Sequence, residues 1–520
     1  MENSIQILIS MGVYMLAVIG IGVYYAKRAN QSSDAYFLGD RSLGPWVAAM
    51  SAEASDMSGW LLMGLPGVAY WCGLADAFWT AAGLAVGTYC NWLLVAKRLR
   101  KYSQVVDAVT LPDFFSNRFR EKKKVIMVVA SAFILIFFTV YASSTLVTCG
   151  KLFSTLFNAD YVAMLVLGAV FVVIYTLLGG FLAESASDFM QAIVMIAALT
   201  TVVVCSTVAV GGVGQVFENV KSFPGFLEFF GIAAPVTDAS GVQTVANGVP
   251  SFGAAGDYGL LSVLSMMAWG LGYFGMPQVL LRFMAIRRAS ELKRARRVGT
   301  VWVLISLTAA IFIGIAGRAL LPAEPSLLTS GGAENVFIVL STRLLPPLLA
   351  GLVMAGILAA TISSSDSYLL IAASALSKNL FKGVVKKDAT EKQVMWLSRI
   401  TLCVLAVLGI LIGLDPDSVI FQIVSFAWAG FGATFGPLML FSLFWKRTTR
   451  AGAIAGMLAG GGMVFVWKLV IKPLGGVLGI YELLPAFLVS CIAIVAVSLL
   501  TKEPDARLRS DFEAAKTLAD

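Results

Sequence analysis

The chain has 520 residues, of which 58% are hydrophobic and 13% charged, with a mean hydropathy of +0.85 and a formal charge of +8. A soluble domain carries about 25% charged residues, so this chain has too few to cover a water-facing surface. Histidine is absent, which excludes a His proton relay, His metal ligation and Ser-His-Asp hydrolysis.

Apolar runs of about 20 residues, enough to cross a hydrocarbon core of about 30 Å, recur from end to end. They predict an all-α polytopic membrane protein with thirteen spans, near 6–26, 44–71, 74–96, 125–150, 160–183, 188–212, 259–285, 299–320, 345–377, 396–414, 418–445, 451–471 and 480–500. Met1 to Ser10 has no basic segment and no small-residue cleavage site follows it, so the first run reads as a retained span. The six cysteines, Cys72, Cys90, Cys149, Cys205, Cys403 and Cys491, lie inside apolar stretches without metal-ligand spacing and read as small packed hydrophobes.

Charge in the predicted loops tests the span count independently. Lys97 to Lys124, Arg287 to Arg297, Lys378 to Lys392, Lys446 to Arg450 and Lys502 to Arg509 all fall on one side when thirteen spans are counted. The other side carries isolated residues such as Lys151, Arg343 and Lys472, and its long 213–258 loop has only Lys221. The positive-inside rule then puts the N-terminus outside and the C-terminus in the cytoplasm. It also explains the net charge by topology rather than by nucleic-acid binding. The 213–258 loop, rich in Gly, Pro and Ser, predicts an irregular external segment with one short helix within 213–230. The tail after Lys502 predicts a short cytoplasmic helix.

Within span two stands Ser51-Ala52-Glu53-Ala54-Ser55-Asp56-Met57-Ser58-Gly59-Trp60. An acid at the bilayer centre costs about 2.5–3.5 kcal/mol on insertion scales and normally faces a polar cavity. Gly59, Gly64 and Pro66 weaken the helix over the same turns. Broken backbone at membrane depth is tolerated where its freed carbonyls line a cavity, and such carbonyls suit sodium. The alternative is close helix packing by small residues, with Asp56 merely hydrogen-bonded.

Span seven holds Trp269-Gly270-Leu271-Gly272-Tyr273-Phe274-Gly275-Met276-Pro277-Gln278, which makes a continuous helix unfavourable. Trp269 and Tyr273, four apart, share a face and read either as a binding wall or as interfacial anchors. Interruptions five spans apart are the spacing of inverted five-helix repeats with a site between discontinuous helices. In span nine, Ala359-Ala360-Thr361-Ile362-Ser363-Ser364-Ser365-Asp366-Ser367 offers hydroxyls that complete an oxygen cage with span two or bond back to their own helix. Asp188 reads as a cap of span six or as part of an ion path. The run Phe426 to Thr434 in span eleven reads as helix packing.

At these residues the chain resembles the sodium/solute symporter family, in its sodium/proline symporter branch. The resemblance covers nearly the whole length. It is carried by 38–45 (Leu-Gly-Asp-Arg-Ser-Leu-Gly-Pro), 54–67 around Asp56-Met57-Ser58-Gly59-Trp60, Leu111-Pro112-Asp113-Phe114, Gly179-Gly180-Phe181-Leu182-Ala183, 269–275 and Arg282-Phe283-Met284. It implies a LeuT-type five-plus-five inverted-repeat core with one extra N-terminal and two extra C-terminal helices. Residues 1–43 would form the extra helix and its loop, and 44–445 the core, with repeats 44–212 and 259–445 around the 213–258 loop. Residues 446–501 would form the last two helices and 502–520 the tail.

The resemblance also implies sodium-coupled uptake of L-proline by alternating access in a bacterial cytoplasmic membrane, with Na+ as coupling ion and no cofactor, nucleic acid or obligatory protein partner. Sodium would meet carbonyls of Ala54, Met57 and Ala360 and hydroxyls of Ser363 and Ser364, with Asp56 nearby. Proline would lie against Ser58, Gly59, Trp60, Tyr141, Trp269, Tyr273 and Pro277. Arg41 and Asp188 would serve the cytoplasmic gate and ion release. The chain departs from the branch at Met276 and Gln278, where Gln and His are frequent, at Ser364, where Thr is usual, and at Glu53, where a small residue is common. Its loop before span seven is also longer. The alternative substrates are pantothenate, a sugar, sialic acid or another amino acid. A channel, a membrane enzyme and a transporter-like sensor each lack the motif they would require.

Overall fold

In hydrocarbon every backbone N–H and C=O must find its partner within its own segment, so apolar runs become helices. A computed structural model describes residues 2–29 and 33–518; the ends of the expected N-terminal and tail segments, 1, 30–32 and 519–520, lie outside the described residues. Among the described residues ten helices are long and apolar enough to span a membrane, and the bent pair Leu260–Gly275 and Pro277–Ala285 supplies an eleventh. The shorter Tyr161–Leu177 and the interrupted segment 45–72 occupy the two remaining predicted positions. Spans five and six run on from each other, separated by Gly180, whose φ of 58° and ψ of −171° break the helix.

Several basic residues expected in loops stand on helices instead. Lys97, Arg98, Arg100 and Lys101 lie on Ala96–Val105, an extension of span three, and Arg294, Arg296 and Arg297 on Leu292–Leu320. Lys378 and Lys382 lie on Ala375–Val385, the end of span nine. Lys and Arg are good helix formers, so a helix leaving the bilayer continues until a breaker stops it. These residues define what is called here the basic end of the bundle.

The 213–258 segment contains the expected short helix, Val213–Val220. Instead of a wholly irregular chain it then forms two small antiparallel sheets, Gly231–Ile232 with Gly256–Asp257 and Val245–Ala246 with Val249–Pro250. Asn247 and Gly248, both at positive φ, make the two-residue turn of the second hairpin. The tail helix Ala506–Thr517 docks at the basic end, with Phe512 against Tyr102 and Asp511 accepting from Arg120 at 2.6 Å.

Span nine, Pro347–Ser374 with its extension, is buried along nearly its whole length and packs against spans one, two, four and the five–six pair. It forms the wall against which the interrupted span two is held.

Candidate ion and solute site

Span two starts as Pro45–Gly59, with Pro45 in the first turn, where its missing N–H costs nothing. The helix breaks at Ser58, a non-glycine residue with φ 45° and ψ −170°. Such backbone costs on the order of 1–3 kcal/mol and persists only when its surroundings hold it. A wide turn, Trp60–Gly64, and the helix Leu65–Cys72 complete the span. The expected weak points, Gly59, Gly64 and Pro66, follow the break rather than form it. Gly59 is needed for proximity, because a Cβ there would lie 2.3 Å from Thr148 Oγ1.

Span nine supplies what holds the break. Ser363 Oγ donates to the Ala54 carbonyl at 2.8 Å and lies 3.2 Å from the Ala360 carbonyl, and Ser364 Oγ lies 3.4 Å from the same Ala54 oxygen. Two hydroxyls and two carbonyls, all buried, thus converge just before Ser58. This neutral oxygen set suits a hard monovalent cation. The Met57 carbonyl, the fifth expected ligand, faces the break and accepts from Trp60 N–H. Asp56 is buried beside this group; Gln278 Nε2 donates to its Oδ1 at 3.1 Å, and Tyr141 donates to its carbonyl at 3.3 Å.

Span seven breaks differently. Trp269–Gly272 passes into the tight turn Tyr273–Gly275, Met276 is extended, and Pro277 starts a new helix bent by 43°. The freed carbonyls are satisfied from neighbouring spans: Trp428 Nε1 donates to Trp269 O at 2.8 Å and Asn91 Nδ2 to Tyr273 O at 2.9 Å. Gly275 lets the turn approach span eleven, where a Cβ would meet Phe431 O at 2.3 Å. The 426–434 run packs as expected, yet its Trp428 also joins the site.

Between the two breaks lies a cluster of rings. Trp60 and Trp269 are 5.5 Å apart, Phe421 lies 6.0 and 5.2 Å from them, and Tyr273 meets Trp428 edge-on at 5.1 Å. Trp60 Nε1, Trp269 Nε1 and Tyr273 Oη are buried without a hydrogen-bond partner among the described residues. Three unsatisfied donors beside an apolar wall fit a small solute carrying a carboxylate. A cavity of about 370 Å³ opens above Trp269 and Phe421, away from the basic end, with Asp76, Glu334 and Lys472 on its walls. Ser58 and Gly59 immediately precede Trp60 in the chain, with Gly59 against Thr148; Tyr141 stacks on Tyr368 at 4.2 Å. Pro277 does not join the rings: it lines a separate cavity of about 10 Å³ with Phe37, Thr110 and Ser374, on the basic side of the break.

Asp188 is not a cap. It lies within Gly180–Val210, fully buried, and its Oδ2 accepts from Ser51 at 2.7 Å and from Arg282 Nη2 at 3.3 Å. Arg282 also donates to Glu184, to Ser51 at 3.0 Å, to Ser367 at 2.9 Å and to the Gln278 carbonyl at 3.2 Å. One guanidinium therefore ties spans two, six, seven and nine together on the basic side of the ion group. Arg41, itself at φ 53°, donates to Ser103 Oγ at 3.0 Å, Met284 O at 2.7 Å and Ala108 O at 2.5 Å. Burial and the neighbouring Arg100 lower its pKa to about 10, so it remains a cation at neutral pH.

Sequence reasoning overlooked Glu184, took Ser51 and Ser367 only as members of their runs, and cited Arg282 only within a motif. The signal was available, since ionisable residues inside predicted spans mark function. Phe421, Trp428 and Tyr481, whose ring stacks 5.2 Å from Trp269, carry no local signal. Glu334 at the opposite end was also missed: it pairs with Lys151 at 2.9 Å and accepts from the N–H groups of Ile420 and Phe421, which start span eleven.

Comparison with known proteins gives consistent results. The family model described as the sodium:solute symporter family matches residues 36–460. The chain is 40% identical over 503 residues to the osmoregulated proline transporter OpuE of Bacillus subtilis (strain 168), covering 96% of each chain. It is 39% identical over 520 residues to a sodium/proline symporter of Staphylococcus aureus (strain USA300 / TCH1516), covering 99% of this chain and 96% of that one. Among solved structures, a substrate-bound, outward-open sodium-coupled sialic acid symporter aligns with a TM-score of 0.75 at 19% identity, over 96% of this chain and 99% of the other. MhsT in complex with L-phenylalanine aligns with a TM-score of 0.51 at 16% identity, over 87% and 97%. These last two likenesses show the LeuT-type fold.

Proposed function

From the premise that the chain belongs to the sodium:solute symporter family, and so is a multi-pass membrane transporter, we propose that it couples entry of sodium to uptake of L-proline by alternating access. The substrate reading is supported by two relatives of about 40% identity whose names specify proline. The observation that carries the coupling is the convergence of Ser363 and Ser364 on the Ala54 carbonyl beside the left-handed Ser58. Sodium held there by Ala54, Met57, Ala360, Ser363 and Ser364, near Asp56, stiffens the interrupted stretch of span two. That stretch continues directly into Ser58, Gly59 and Trp60, one wall of the solute pocket opposite Trp269 and Tyr273. Each ligand thereby raises the other's affinity by the same factor, as linkage requires.

The basic end is cytoplasmic in this reading and the N-terminus external. Repeats 44–212 and 259–445 contribute one broken span each. With solute and ion bound, the rings and the Glu334 contacts close the external path; opening the contacts of Arg41, Asp188 and Arg282 releases sodium inward. A tenfold sodium gradient supplies about 1.4 kcal/mol and 100 mV about 2.3 kcal/mol per charge, together supporting accumulation on the order of several hundredfold for one-to-one coupling.

The test is uptake of labelled proline into proteoliposomes with and without an inward sodium gradient. Gradient-dependent accumulation, uncompeted by pantothenate, sugars or sialic acid, is expected. Uptake indifferent to sodium, or equal competition by those compounds, would overturn the reading.

A further inference from the structure

A groove of about 440 Å³ lies on the outer surface of the bundle between the first half of span two, span six and span eight. Trp46 and Met50 line one wall, Ile193 and Ile196 the second, and Val301 and Trp302 the third. Trp46, Ile193 and Val301 are about half-exposed, so in a membrane-spanning chain they face lipid. The Trp302 N–H donates inward to Ala192 O at 3.1 Å, which leaves only its apolar ring for the groove.

The groove runs along span eight from Arg297 to Ile305. Eight residues at 1.5 Å each make about 12 Å, most of the roughly 15 Å depth of one hydrocarbon leaflet. Arg297 forms the rim at the basic end. It is exposed, and so are Lys293 and Arg294, one turn earlier on the same face. None of the three makes an ion pair among the described residues, whereas Arg287 nearby is held by Glu291 at 2.7 Å. An acyl-chain-sized slot ending at three unpaired cations is complementary to an anionic phospholipid: guanidinium pairs bidentately with phosphate, and the two further charges favour a headgroup of net negative charge.

We propose that this groove is a binding site for one anionic phospholipid of the leaflet at the basic end, with its phosphate on Arg297 and an acyl chain against Trp46, Ile193 and Val301. The first half of span two, 45–57, is separated from its second half by the Ser58 break. A chain wedged between Trp46 and spans six and eight holds that half in place. The bound lipid therefore favours the arrangement in which the basic end is closed. The site rests on groove shape and charge alone, independent of which solute is carried.

Native mass spectrometry of the purified full-length protein, delipidated and then titrated with phosphatidylglycerol or phosphatidylcholine, reads the site without any transport assay. One phosphatidylglycerol retained at least about tenfold more tightly than phosphatidylcholine is expected. The triple change Lys293→Gln, Arg294→Gln and Arg297→Gln, which removes the phosphate partner and the two further charges together, should abolish the preference, and Val301→Trp, which fills the slot, should abolish retention of both. Lys122→Gln, distant in sequence on another basic segment, should change neither and controls for general loss of charge. Equal retention of the two lipids by the native chain, an undiminished preference in the triple variant, or undiminished retention in Val301→Trp marks an ordinary annular lipid and overturns the proposal.

Discussion

The two interrupted spans solve one problem by opposite means. Span seven breaks where its composition is poorest for a helix, with Gly272, Gly275 and Pro277 around an extended Met276, and side chains of spans three and eleven take up its freed carbonyls. Span two breaks at a serine in left-handed backbone, with two hydroxyls from span nine gathered on its Ala54 carbonyl. The seventh span's bend is written into its own residues; the second span's is imposed by its neighbours. A break maintained by neighbours is one that a bound ion can tune.

The strongest way to disturb this contrast is to remove the anchor shared by both spans. Arg282→Ala leaves Glu184 and Asp188 buried without their cation, and breaking such a pair costs about 3–5 kcal/mol. Thermal unfolding in detergent should show a large fall in the midpoint or loss of monodisperse protein. A midpoint within a degree of the native one would show that the guanidinium does not hold spans two, six and seven together.

Next comes the division of labour between the breaks. The double change Ser363→Ala with Ser364→Ala should raise the sodium concentration for half-maximal uptake by tenfold or more. Trp269→Ala should chiefly raise the solute concentration required. Equal effects of the two variants on both parameters would erase the assignment of ion to span two and solute wall to span seven.

The backbone itself offers a finer comparison. Ser58→Val places a β-branched residue at φ 45° and should lower stability by about 2 kcal/mol. Pro277→Ala should cost under about 1 kcal/mol and keep transport, because the Tyr273–Gly275 turn and its side-chain partners remain. If Pro277→Ala proved as damaging as Ser58→Val, the seventh span's bend would depend on its proline rather than on the Tyr273–Gly275 turn.

The smallest effect lies far from both breaks, in the 213–258 loop. Ser240, through its hydroxyl, and the Val242 N–H hold the Asp238 carboxyl below the usual carboxylate range. A depressed group stabilises its turn above the unfolded-state pKa and loses that contribution as pH falls through the folded one. Asp238→Asn should speed amide exchange at 238–242 several-fold at neutral pH and leave uptake unchanged. At pH values below the folded pKa the native loop should exchange as fast as the variant; a persistent difference there would mean the carboxylate charge is not what orders the turn.

Much of this could be read before any coordinates. Residues 269–278 announce their own break because glycine and proline act on the local backbone. Ser363 and Ser364 stood out because hydroxyls are conspicuous in an apolar span, but whether they bond within their helix or across to span two depends on which way span nine is turned. Asn247-Gly248 carried a hairpin signal that the irregular reading passed over. Asp188 read equally as a cap or as part of an ion path, because its position beside Ser51 and Arg282 depends on contacts 137 and 94 residues away in the chain.

By itself the sequence determined the membrane as solvent, the thirteen helical segments and the side that carries positive charge, because hydrophobic length and charge placement are properties of each segment alone. The tertiary structure decided that span two yields at Ser58 rather than at a glycine, and that Trp60, Trp269 and Phe421 meet. Strained backbone and ring contacts exist only when separate helices supply the atoms that hold them, and no single stretch of chain contains those atoms.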